Sequence, residues 1–162
     1  MLGEREIEEK MSELASKLQY DYCDLSWLKK AMYAKKISDK SDGKNRKNYT
    51  NDALTTLGDS VLKLILTEYF FDQKEDKGYI TDEKQKIEDN KSLYNIFNQL
   101  KLYEYAYNGE SFYDKAPEEN KVSNSKHNQY VESMIGAIYK DKGLNYTKEW
   151  VVCFLKNNKI LK

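Results

Sequence analysis

Residues 51–62 read Asn-Asp-Ala-Leu-Thr-Thr-Leu-Gly-Asp-Ser-Val-Leu, and the run continues as KLILTEYFF to Phe71. Within it Leu54, Leu57, Val61, Leu64, Ile65 and Tyr69 recur at three- and four-residue spacing, the repeat of a helix with one apolar face. This segment is expected to be the central buried helix. Asp52, Thr55 and Asp59 fall at i, i+3 and i+7 on one face, so the outer two lie two turns or about 10.5 Å apart. An ionised Asp59 among apolar neighbours requires a compensating group, because an isolated buried charge is expensive. Gly58 lowers helix stability relative to Ala, which points to a close helix contact or a functional atom beside it.

Helical periodicity extends in both directions from this segment. Residues 4–19 place Ile7, Met11, Leu14 and Leu18 on one face, and Asp24 is placed to cap a second helix carrying Leu25, Trp27, Leu28 and Met32, the two forming a hairpin. From Lys35 to Asn48 the apolar pattern stops, and KKISDKSDGKNRKN reads as a basic loop turning at Gly43. Further helices are expected at about 81–88 and 91–101, then a polar loop at about 107–125. A helix from Lys126 to Asp141 carries Val131, Met134, Ile135 and Ile138 inward and stops at Gly143. A last helix lies around Trp150, Val151, Phe154 and Leu155.

The chain has 162 residues, 40% hydrophobic and 33% charged, with 7 Gly and 1 Pro, which excludes collagenous, low-complexity and fully disordered classes. One all-α domain over residues 1–162, with its core at about 5–156, is expected. Lys+Arg and Asp+Glu both number 27, so any basic surface for a nucleic acid must be local. Cys23 and Cys153 match no zinc spacing and build no disulfide framework. With no apolar stretch of about 20 residues to span a bilayer, the expectation is a cytoplasmic protein with no membrane partner.

A second acid, Glu132, interrupts the apolar run YVESMIGAIY and has Gly136 four residues on. If the two Gly-bearing helices pack together, Asp59 and Glu132 can share a divalent cation such as Mg²⁺, which is commonly held by one or two carboxylates, waters and substrate phosphates. The alternative is that each acid pairs with a buried Lys or caps a backbone group.

The segment Asn51–Leu62 resembles the signature helix of ribonuclease III, written N-E-R-L-E-F-L-G-D-S-V-L. Val131-Glu132-Ser133-Met134-Ile135-Gly136-Ala137-Ile138-Tyr139, with Asp141 and Gly143, is similar to the family's E-A-L-I-G-A-I-Y-x-D-x-G. Between them Asp89-Asn90-Lys91-Ser92-Leu93 falls where the family shows N-E-T-L or N-x-S-L. The resemblance covers about residues 5–156 and reads as a catalytic domain standing alone, without a double-stranded-RNA-binding domain after it. It implies a ribonuclease III-type helical domain that forms a homodimer. The two sites line a valley for double-stranded RNA, each hydrolysing one strand with Mg²⁺, for which Mn²⁺ can substitute.

In the family four carboxylates surround the metal, and here those positions read Thr55, Asp59, Gln129 and Glu132. Asp59 and Glu132 are thereby expected to be catalytic metal ligands, with Thr55 and Gln129 as auxiliary groups that offer oxygen atoms or orient water. Two formal negative charges are lost, so metal affinity should fall. Asp52, expected with Asp59 and Glu132 among the catalytic residues, matches the signature's first Glu, a position that in the family lies near the subunit interface and the RNA. Lys44, Arg46 and Lys47 precede the signature helix and Lys126 precedes the second motif, where they would contact RNA phosphates without reading sequence. His127 is read as structural or exposed, and the 14 tyrosines as core and dimer-interface residues. The rival expectation is a non-cutting RNA-binding or ribonucleoprotein module, and a third is a chain that needs a protein partner supplying RNA-binding modules.

Overall fold

The computed structural model describes residues 1–37, 48–113 and 124–162, the side chains of Asn90 and of residues 124–128 excepted. Its helices are α1 (Glu4–Lys17), α2 (Ser26–Met32), α3 (Asp52–Gln73), α4 (Lys77–Glu88), α5 (Asn90–Gln99) and α6 (Asn124–Asn157), with a 3-10 turn at Leu102–Glu104. The all-α expectation holds. Inside α6, Gly143 takes φ 82° and ψ 178°, which is not helical. Only glycine enters that region freely, so the span is two helices broken at the expected stop.

The helix ends follow local chemistry. The Asp76 carboxylate accepts the Tyr79 N–H at 2.7 Å at the start of α4, and Asp89 does the same for Ser92 at 2.7 Å at the start of α5. Asp24 accepts the Ser26 N–H at 3.0 Å, the capping role expected of it, from one residue outside the helix boundary at Leu25. The expected loop after α2 contains a short antiparallel pair, β1 (Lys36–Ile37) with β2 (Asn48–Tyr49), Lys36 opposite Tyr49 and Ile37 opposite Asn48. Two-residue strands carry no period-two pattern that a sequence reading could detect.

The core is centred on α3 crossing α6, with α2 and α5 also against α6 and α4 against α3. A methyl group at Gly58 would stand 1.6 Å from the Glu132 carbonyl oxygen, and one at Gly136 would stand 2.4 Å from the Leu54 carbonyl oxygen. The two helices touch backbone to backbone, as the paired glycines suggested. Nearby, the Ala31 carbonyl at the end of α2 accepts from Asn51 Nδ2 at 3.0 Å and from Ser133 Oγ at 2.9 Å, tying α2, α3 and α6 at one point. These polar groups are buried and their partners sit inside the core, so the crossing has one register.

The inward faces of α1, α2 and α6 match expectation, with Ile7, Met11, Leu14, Leu18, Leu28, Met32, Val131, Met134, Ile135 and Ile138 all buried. On α3 the expected stripe is corrected. Leu64 is 51% exposed, and the buried positions are Leu54, Thr55, Gly58, Val61, Leu62, Ile65, Leu66 and Phe70. Because α4 and α6 cover two adjoining sides of the helix, burial shifts one residue around from the stripe that a single partner would make. No helix among the described residues is long and apolar enough to cross a membrane.

Candidate active site

Three elements meet at an open cleft of about 640 Å³ lined by Asp59 and Lys63 of α3, Gln85, Glu88 and Asp89 at the α4–α5 junction, and Glu132 of α6. The close α3–α6 crossing brings Asp59 and Glu132 to the same cleft, since Gly58, adjacent to Asp59, abuts the Glu132 backbone itself. The two acids singled out in the sequence therefore face one solvent space.

Their environments differ. Lys63, one helical turn after Asp59, donates from Nζ to Asp59 Oδ2 at 2.8 Å, with the two side chains 50% and 37% exposed. Asp59 is thus half-open to water and compensated by a lysine on its own helix, not an acid sunk in the core as the apolar string suggested. That bond to Asp59 raises the Lys63 pKa. Glu132 has no such partner among the described residues. Burial first, and then the charge of Asp59, push it up to about 7 from an ordinary 4.5, with Lys63 opposing the rise.

Glu88 ends α4 and stands one residue before Asp89, the cap of α5. Its side chain is 18% exposed and the nearest cation, Lys84, stands at 3.9 Å. Its buried Oε1 accepts no hydrogen bond among the described residues. Hard carboxylate oxygens on three converging elements, one of them buried without a donor, are the donor chemistry Mg²⁺ or Mn²⁺ takes. As the side chains stand, no three acidic, histidine or cysteine residues among those described are close enough together to hold a metal ion.

The remaining expected site residues lie elsewhere. Thr55 is buried, and its hydroxyl lies 3.0 Å from the Asn51 carbonyl and 3.4 Å from that of Gln129, so it links α3 to α6 beneath the cleft. Neither Thr55 nor the half-exposed Gln129 is among the described residues lining the cleft. Asp52 accepts the Tyr49 N–H at 2.6 Å, pinning β2 to the first turn of α3, two turns from Asp59. Lys44, Arg46 and Lys47 lie outside the described residues; Lys126 falls in the first turn of α6 and its side chain, like that of His127, is also outside them.

Sequence reasoning did not single out Lys63 or Glu88. Lys63 carried a signal, the i, i+4 spacing from Asp59 that pairs opposite charges on a helix. Glu88 carried none, because nothing local to IEDNKS shows that the end of α4 meets α3 and α6.

A model of the Ribonuclease III domain matches residues 52–143, more than half of the chain, and the chain belongs to that family. It is 29% identical to the Ribonuclease 3 of Borreliella burgdorferi over 151 residues, 91% of this chain and 58% of that one. To the Ribonuclease 3 of Campylobacter fetus it is 29% identical over 154 residues, covering 92% of this chain and 63% of the relative. The chain thus spans about three-fifths of the length of these curated relatives. Among solved structures it is similar to the nuclease domain of ribonuclease III from Campylobacter jejuni, with TM-score 0.70 and 28% identity over 93% of this chain and 96% of that domain. That neighbour is described as flexible in a region involved in its dimer formation.

Proposed function

We propose that this chain is an endoribonuclease domain that hydrolyses double-stranded RNA with Mg²⁺, Mn²⁺ substituting, and works as a cytoplasmic homodimer. One observation carries the reading: Asp59 and Glu132, 73 residues apart in sequence, face one polar cleft across the α3–α6 crossing. Asp59 and Glu132 would hold the cation there. When bound, Mg²⁺ supplies activation of water and stabilisation of charge on the phosphate under attack. The chain's own residues set up the rest. Glu132 must give up its proton before it can bind, and Lys63 must share or release Asp59.

Lys44, Arg46, Lys47 and Lys126 would contact RNA phosphates, and Asp52 would act from the start of α3. Thr55 and Gln129, neutral where the family carries acids, would support the site from beneath and beside it. The half-exposed apolar surface of Trp27, Tyr33 and Leu57 around the start of α3 supports self-association. A protein partner supplying RNA-binding modules is compatible with the same surface chemistry.

The second reading, a non-cutting RNA-binding module, is favoured by the ammonium of Lys63 on Asp59 and by the neutral Thr55 and Gln129. A labelled duplex of about 30 base pairs, long enough for many phosphate contacts, decides between them when incubated with Mg²⁺, Mn²⁺ or EDTA. Metal-dependent cuts that vanish in Asp59→Asn and Glu132→Gln support the nuclease. An intact but bound duplex under every condition supports the alternative, and cutting that survives both substitutions refutes this site. Light scattering on the same preparation gives the oligomeric state.

A further inference from the structure

We infer that the cavity between α2, the start of α3 and Lys140 of α6 binds a carboxylate supplied by a second copy of this chain, a reading that rests on the self-association proposed above. The cavity holds about 460 Å³ and is bounded by Trp27, Lys30, Tyr33, Leu54, Leu57 and Lys140. It shares no lining residue with the cleft of Asp59 and Glu132. Two cations from different helices converge in it. Lys30 Nζ stands 4.9 Å and Lys140 Nζ 5.3 Å from the centre of the Trp27 ring. Neither forms an ion pair among the described residues. The carboxyl of Asp24 is held below its ordinary range by hydrogen bonds from Ser26 first and by the Lys30 charge last, and it does not line the cavity. The Thr50 hydroxyl in the same wall is spent, donating to the Tyr33 carbonyl at 2.6 Å and accepting the Lys35 N–H at 2.9 Å. What remains for a ligand is two charged donors above an aromatic and aliphatic floor. A cation over an exposed indole is held weakly, so both ammoniums are free to turn to an anion.

Self-association makes that anion necessary. Another protein surface can cover Trp27, Tyr33 and Leu57 only if Lys30 and Lys140, on the same wall, lose water as well, and desolvated ammoniums without a counter-charge are costly. A two-fold contact adds to the cost, because it brings the lysine pair of each copy to one self-complementary interface where like charges repel. A carboxylate of the second copy, seated between Lys30 and Lys140, removes both costs while its apolar neighbours cover Ala53, Leu54 and Leu57. The apolar floor favours a protein acid over an RNA phosphate, since a phosphate contact is electrostatic and leaves that floor unburied.

Sedimentation equilibrium of the whole chain, with carbodiimide coupling of mixed unlabelled and heavy-isotope-labelled chains, tests this without reference to cleavage or to metal. Mass spectrometry is expected to find Lys30 or Lys140 joined by an amide bond to an Asp or Glu of the other isotope. Lys30→Met combined with Lys140→Met should weaken the dimer about tenfold or more, because the partner's carboxylate would then be buried unpaired. Arg at both positions keeps the charge and should hold the dimer near the parent's affinity. Both lysines are exposed, and melting curves matching the parent's show that the variants fold. The cross-link in the parent needs no variant. A dimer that tightens or is unchanged in the double Met variant, with no inter-chain cross-link at either lysine, overturns the carboxylate site. If the double Met variant dimerises as the parent does and binds the labelled duplex more weakly, the pair serves RNA phosphates, which also overturns it. A parent that stays monomeric at every concentration overturns instead the self-association on which the site rests.

Discussion

Replacing Gly58 by Ala should separate α3 from α6. A Cβ at this position would lie 1.6 Å from the Glu132 carbonyl oxygen, 2.6 Å from its carbon and 2.9 Å from the Gly136 nitrogen, all backbone atoms with no rotamer to give way. A carbon–oxygen contact needs about 3.3 Å, so the helices must part by roughly 1.7 Å along that line. Overpacking of a close-packed core costs about 1–3 kcal/mol, and a backbone obstruction belongs at the top of that range. Ala returns about 1 kcal/mol of helix propensity, leaving a net loss of about 2 kcal/mol or more. For a domain of this size that is a fall in Tm of roughly 4–8 °C or more. The struck atom belongs to Glu132 itself, so the loss extends to the site. A displacement of about 1 Å commonly costs a hundredfold in rate, and duplex cleavage should drop by at least that much. Gly78→Ala is the control. It is exposed in the first turn of α4, its Cβ would meet only Asp76 Oδ1 at 3.4 Å, and its effect should lie between zero and about 1 kcal/mol of stabilisation. Thermal melts and urea titrations of both variants provide the check. If Gly58→Ala melts at or above the parent and cuts equally well, the backbone contact does not organise the site.

Glu132 predicts a pH signature. With its carboxyl at about 7 when folded against 4.5 ordinarily, the folded chain holds a proton that the unfolded chain has released. In EDTA its contribution therefore lowers stability as pH rises from about 4.5 to 7 and is level above that, and Glu132→Gln should remove this slope from urea midpoints taken across the interval. Below pH 7 the same proton competes with Mn²⁺, so affinity should fall with acidity and binding should release protons in buffers of different ionisation enthalpy. Lys63→Met removes the ammonium from Asp59 and should tighten Mn²⁺ binding about fivefold, from roughly 1 kcal/mol of screened repulsion. Weaker binding would show that Lys63 assists the cation instead of competing with it. Asp141→Ala deprives the Cys23 and Asp24 N–H groups, each 2.9 Å from its carboxylate, and the Tyr20 hydroxyl of their common acceptor. A loss of about 2 kcal/mol in a urea titration is expected, with no change in Mn²⁺ affinity, since Asp141 does not line the cleft.

The helical class, the order of the elements, the stop at Gly143 and the pairing of Gly58 with Gly136 were legible in residues 51–71 and 126–143, because helical spacing and glycine placement are local properties of a chain. So were Asp59 and Glu132, acids that interrupt apolar runs and lie in two family motifs. The tertiary structure decided which side of α3 is covered, exposing Leu64, because that depends on where α4 and α6 meet it. It also decided that Asp59 is answered by Lys63, that Thr55 is turned to backbone carbonyls beneath the cleft, and that Glu88 arrives from the end of α4 with an unfilled oxygen. These are properties of side chains distant in sequence that share one low-dielectric space. Charge balance there is set by proximity and burial, which periodicity along the chain does not contain.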